Sequence, residues 1–222
     1  MKYGESIFDI AYLLIAICTG CRILRMRKDG IGTLMGTAIL ILGCGDAFHL
    51  VPRVLNYFIS ADLTAWLGFG KLVTSLTMTA FYLLLYRLWL RLYDMPEDKR
   101  LSRAVYVLTG LRILLCLLPQ NRWLENEGSV LWGVIRNVPF VILGAIIVWL
   151  YWQKRDAILR FRHVWLLVTL SFAFYIPVAV WASVVPMLGM LMLPKTVCYI
   201  VLIWVFWMYA RDTGNDKKDE AA

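Results

Sequence analysis

"TLMGTAILILGCGDAFHLVPRVLNYF", residues 33–58, decides how this chain is read. Twenty-six residues at 1.5 Å each are enough to cross a hydrocarbon core of about 30 Å. Most of them are apolar, yet Asp46, His49 and Arg53 lie among them. With Asn56 these residues stand at i, i+3, i+7 and i+10, which is one face of an α-helix. Ionisable groups facing lipid tails are costly, so such a face points to a bundle interior or a water-filled cavity. The stretch therefore predicts a membrane helix that belongs to a bundle.

The rest of the chain agrees. It has 222 residues, 61% hydrophobic, with ten tryptophans and a mean hydropathy of +0.68. That composition excludes an ordinary soluble domain. Seven apolar stretches are expected as helices at 7–24, 33–58, 66–90, 102–119, 131–152, 163–184 and 188–209. Each is close to the ~20 residues of a membrane span. The expected fold class is an all-α integral membrane protein with one seven-helix domain over 1–210. Residues 211–222, with the polar run "TGNDKKDEAA", are expected as a disordered cytoplasmic tail. Only Lys2 precedes the first apolar run, so it is read as helix 1 and not as a cleaved signal.

Orientation follows from lysine and arginine placement. Arg22, Arg25, Arg27 and Lys28 follow helix 1. Arg87, Arg91, Lys99, Arg100 and Arg103 surround the loop after helix 3. Lys154, Arg155, Arg160 and Arg162 follow helix 5, and Arg211, Lys217 and Lys218 lie in the tail. Sixteen of the 23 basic residues thus fall on one side. This predicts an outside N-terminus, a cytoplasmic C-terminus and a multi-pass protein of the plasma membrane. The net charge of +8 is then a topology signal and gives no reason to invoke nucleic acid.

Of the seven remaining basic residues, Lys2 and Arg122 lie in the outer N-terminus and an outer loop, and the other five are Arg53, Lys71, Arg112, Arg136 and Lys195, on helices 2, 3, 4, 5 and 7. Four of them sit five to seven residues from the outer helix end, roughly 10 Å deep. A single such residue usually snorkels to the headgroups. Five at similar depth, beside Asp46 and His49, predict an outward-opening polar pocket. Counting Asp46 alone against five cations leaves four positive charges in low dielectric. Such an excess is costly unless an anion offsets it. The candidate ligand-binding set is therefore Asp46, His49, Arg53, Lys71, Arg112, Arg136 and Lys195. Its partner is a small anionic solute or a lipid headgroup. Nothing in the sequence calls for a cofactor or a resident metal. Cys18, Cys21, Cys44, Cys116 and Cys198 all fall in expected helices and read as packing residues, including the "CTGC" of helix 1.

Helices 1–3 and 5–7 share spacings. Asp9 to Asp29 is twenty residues, as is Arg136 to Asp156. Pro52 to Lys71 is nineteen, and Pro177 to Lys195 is eighteen. Lys71 to Arg87 and Lys195 to Arg211 are both sixteen. These spacings suggest a 3+1+3 parallel internal repeat linked by helix 4. That plan resembles the sugar-carrier and PQ-loop families and the duplicated layout proposed for rhodopsins. The "PQ" of "LPQNR" lies at the outer end of helix 4 and does not match the PQ-loop motif position.

Specific residues bear on other chemistries. "GCGD" matches the GxGD of intramembrane aspartyl proteases, which need a facing second aspartate; the only other candidate is Asp9, near the outer end of helix 1, and nothing resembles the partner motif. "GDAFHLVPR" resembles a helix of the lysoplasmalogenase family, which implies a lipid hydrolase using Asp46 and His49 as base and acid. Zinc hydrolases of the alkaline ceramidase type need more than the two histidines present. "FYIPVAVW" resembles a helix of microbial rhodopsins and implies a rhodopsin-like receptor with Lys195 as the reactive lysine. However, Lys195 is nearer the outer end than that family places it. The leading expectation is binding and transport of a small anionic solute, with Asp46 and His49 proton-linked and Pro52, Pro139 and Pro177 as kink points.

Overall fold

A computed structural model describes residues 2–59, 61–125, 129–181 and 185–219, with side chains described as far as 213. Its long elements are seven α-helices: α1 Lys2–Met26, α2 Gly30–Phe58, α3 Thr64–Leu92, α4 Lys99–Leu117, α5 Val130–Gln153, α6 Val164–Trp181 and α7 Met192–Asp219. No strand occurs among the described residues. Six of the helical segments are long and apolar enough to cross a membrane. The seventh candidate is α4, continued through a 65° bend by the short turns over Pro119–Glu125. The chain is thus an all-helical protein built to sit in a membrane.

Neighbouring helices pack in chain order, and α1 also packs on α7, so the seven close into a ring. Helix α3 leans across to α5, and α2 touches α7. Close approach depends on small residues, which matter most where lipid offers no hydrophobic drive. A Cβ on Gly70 would lie 2.2 Å from the Phe48 carbonyl oxygen and 2.7 Å from the His49 Cα. A Cβ on Gly68 would lie 1.5 Å from the Trp123 carbonyl oxygen. The "GFGK" start of α3 therefore lets α2 and the 119–125 segment close onto it, which brings His49 and Lys71 together.

One half of the bundle is filled by rings. Phe161 stacks on Tyr151 and Phe206, and the Trp89 indole donates to the Leu150 carbonyl at 3.0 Å. Arg27 pairs with Asp29, donates to Thr213 and lies 5.8 Å from the Tyr209 ring. Arg160 pairs with Asp212 at 2.8 Å. These bonds tie the first turn and the α5–α6 connection to the end of α7.

The helix boundaries differ from the sequence reading mainly at the end of the chain. Helix 7 begins at Met192, after a 3-10 turn over Pro186–Leu191, where the reading began the helix at 188. It runs on to Asp219, where a disordered tail was expected from 211. The Arg160–Asp212 and Arg27–Thr213 bonds hold the turn that carries it past 209. The last three residues of the expected helix 6, 182–184, lie outside the described residues.

Candidate functional site

The charged residues gather in the half of the bundle opposite the basic loops, in two adjoining groups. The first lies between α1 and α2. Glu5, Asp9 and Tyr12 stand at i, i+4 and i+7 and so share one face of α1. Arg53 pairs with Glu5 at 3.4 Å, and the Tyr57 hydroxyl donates to the same carboxylate at 2.7 Å. The Tyr12 hydroxyl, fully buried, donates to the Asp46 carboxylate at 2.7 Å. Asp9 is only 3% exposed, and its Oδ2 has no hydrogen-bond partner among the described residues. Its charged neighbours are Arg53, Glu5 and Asp46.

The second group spans α3 to α7. Arg112 is 1% exposed, yet among the described residues no carboxylate lies within 4 Å of it. Its Nε donates to the Thr79 hydroxyl at 3.2 Å. Its Nη1 donates to the Asn137 side-chain oxygen at 2.7 Å and to the Arg136 carbonyl. The guanidinium also lies 4.2 Å from the Phe140 ring centroid. Arg136 donates to the Asn121 side-chain oxygen at 2.8 Å and stacks 4.4 Å from Trp123. Asn121 in turn donates to the carbonyls of Leu115, Cys116 and Leu118, which closes the end of α4. Lys195 is 8% exposed, with its ammonium 4.8 Å from the Tyr175 ring and 5.6 Å from the Tyr199 ring. Tyr175 donates to the Asn137 side-chain oxygen at 2.7 Å, so Lys195, Tyr175, Asn137 and Arg112 form one chain of contacts. Desolvated cations over aromatic faces gain about 2 kcal/mol each, which helps hold charge without an acid.

His49 bridges the two groups. Lys71, Arg53 and Lys195 surround it, and its ring meets the backbone of Leu67. Its Nδ1 is buried without a partner among the described residues. Lys71 keeps an exposed side chain and neighbours Arg136. Lys195 is the charged neighbour of Asp46.

All seven residues singled out in the sequence fall in these two groups, but several relations differ from the expectation. Asp46 was expected to be proton-linked to His49 among the cations. Its direct partner is Tyr12, because α1 packs against that face of α2. Asp46 and His49 do not hydrogen-bond to each other. Arg53 serves Glu5, a residue the sequence reading left outside helix 1. Asn56, on the same face of α2 by spacing, is exposed. The excess positive charge is also smaller than counted from the sequence, since Glu5 and Asp9 join Asp46 against the five cations. Its unbalanced part is concentrated on Arg112 and Arg136.

Two surface depressions accompany the site. One of about 460 Å³ between α2 and α3 is apolar, lined by Ala47, Phe48, Val51, Pro52, Leu55, Leu63 and Trp66. The other, of about 670 Å³, lies near the start of α4. Neither is lined by any of the seven residues. Among the described residues no group of three or more His, Cys, Asp or Glu could hold a metal ion. The residues missed by sequence reasoning are Glu5, Tyr12, Thr79, Asn121, Asn137 and Tyr175. The first two had a signal in the i, i+4, i+7 pattern with Asp9. The others are single neutral residues on apolar helices and carry none.

Compared with protein-family models, with curated proteins and with solved structures, the chain finds no match.

Proposed function

We propose that this polytopic membrane protein binds, and carries across the membrane, a small anionic solute at the cations of α3, α4 and α5. One observation supports this above the others. Arg112 and Arg136 are neighbours in the bundle, and every hydrogen-bond acceptor they use is a neutral oxygen. A charge taken out of water costs several kcal/mol, and a carboxylate would be the usual compensation. An anion arriving beside Arg136 and Lys71 supplies that compensation reversibly. Asp46 and His49, close to Lys71 and Lys195, are placed to link proton binding to it.

A duplicated origin is part of the proposal. If α1–α3 correspond to α5–α7, the α1–α2 and α2–α3 contacts should recur as α5–α6 and α6–α7. The α1–α7 contact should recur as α5–α3, and all three do so. Such repeats build carriers with the site at their interface. On our reading the basic loops are cytoplasmic, which puts the proposed site in the outer half of the plasma membrane, with α1 starting outside.

The test uses the purified full chain in detergent micelles, with inorganic phosphate, sulfate and acetate as probes. Wild-type unfolding free energy should rise by RT ln(1 + [L]/Kd) with at least one of the three, seen as a higher melting temperature, and Arg136→Gln should abolish the rise. No shift with any probe, or an equal shift in Arg136→Gln, overturns the proposal.

A further inference from the structure

The 670 Å³ depression is lined by none of the buried cations and has its own chemistry. Glu97, Lys99, Ser102, Arg103, Tyr106 and Val107 line it. Five of these are on α4, at i, i+3, i+4, i+7 and i+8, so they form one face of that helix. Glu97 is engaged by Arg87 at 3.9 Å, and Arg87 also donates to the Tyr106 hydroxyl. Ser102 is bonded to the Tyr86 hydroxyl at 2.6 Å. Lys99 and Arg103 are exposed, and no carboxylate among the described residues lies within 4 Å of either. The floor of the depression is thus fixed, and two cations stand unmatched at its rim.

The same face continues as an apolar track. Val107, Leu111 and Leu114 are 59%, 44% and 59% exposed, and a Cβ on Gly110 would meet nothing within 4 Å. Cations at one end and an open apolar stripe running into the membrane from it match one molecule in shape and charge. We infer that this face of α4 binds an acidic phospholipid, its phosphate at Lys99 and Arg103 and an acyl chain along Val107, Gly110, Leu111 and Leu114. Basic pockets at the cytoplasmic ends of membrane helices commonly take such headgroups. The diffuse attraction of any basic loop for an acidic leaflet is the effect to be distinguished from it.

Each cation near a bilayer surface contributes about fivefold in affinity, so removing both should weaken binding about twenty-five-fold. The purified full chain in micelles is titrated with phosphatidylglycerol and with phosphatidylcholine, and bound lipid is counted by native mass spectrometry. Wild type should retain phosphatidylglycerol selectively. The exposed double variant Lys99→Gln/Arg103→Gln should lose that selectivity, Lys99→Arg/Arg103→Lys should keep it, and so should Lys154→Gln/Arg155→Gln on the next basic loop. Equal losses in the two glutamine variants would mean diffuse attraction and overturn the inference. Equal retention of the two lipids by wild type would also overturn it. Glycerol phosphate, which has the headgroup without chains, should bind far more weakly. Equal binding of it would remove the acyl track from the site.

Discussion

Arg112→Met separates a charge kept for function from one kept for stability. The methionine matches the arginine stem in length and packs well against the Phe140 ring. Three hydrogen bonds and one cation–π contact are lost. Interhelical bonds in membrane bundles average about 0.6 kcal/mol, so three give about 2. The contact with Phe140 at 4.2 Å adds about 2 more. Against this, taking the arginine's charge out of water costs several kcal/mol. The two sides nearly cancel.

The acceptors left behind are not orphaned. Thr79 still donates to the Ser75 carbonyl, and Asn137 still accepts from Tyr175. The Arg136 carbonyl keeps the Phe140 N–H of the helix ladder. Arg112→Met should therefore change stability by about 1 kcal/mol, a shift of roughly 2–4 °C in melting temperature, while removing the rise induced by whichever anion probe stabilises the wild type. Asn137→Leu gives the contrast. It leaves the Tyr175 hydroxyl without its acceptor and takes one of three hydrogen bonds from the Arg112 guanidinium, and should cost about 2–4 kcal/mol. Thermal unfolding in micelles, with and without that anion, measures both. A loss above about 3 kcal/mol in Arg112→Met, with the anion response intact, would refute the reasoning and make Arg112 a structural clamp.

Further tests address the remaining contacts. Tyr12→Phe should cost about 1–3 kcal/mol by leaving the Asp46 carboxylate short of its donor. Adding Asp46→Asn should then cost less than it does alone, and strictly additive melts would remove the pair. Gly70→Ala should lower the yield of folded protein sharply, since its Cβ would overlap the Phe48 carbonyl. Gly110→Ala, in open space within a helix, should be neutral or gain up to about 1 kcal/mol. Equal melting of the two alanine variants would contradict the close α2–α3 approach. In a chain without native cysteines, Arg122→Cys should react with an impermeant thiol reagent from outside the cell, and Lys99→Cys should not. The reverse pattern would invert the orientation.

The helical type, and six or seven apolar segments long enough to span a membrane, could be read from the chain itself. Hydrocarbon thickness sets a span of about twenty residues, and that rule is local. The same holds for the clustering of Asp46, His49, Arg53, Lys71, Arg112, Arg136 and Lys195 in one half of the bundle. Counting residues from a helix end gives depth without knowing any neighbour. The polar face of α1 was legible too, had Glu5 and Tyr12 been set beside Asp9.

Partnership was not legible, because it depends on which helix faces which. Asp46 meets Tyr12 because α1 packs against α2. Arg112 reaches Asn137 and Phe140 because α4 packs against α5. Apolar stripes look alike to lipid and to other helices, so in a membrane segment composition does not say which face is buried. Only the packed bundle decided that two arginines would sit together with neutral oxygens while the three carboxylates gathered around α1 and α2. The physical reason is that burial is costly for every charge, but the choice of compensating group is made by tertiary geometry.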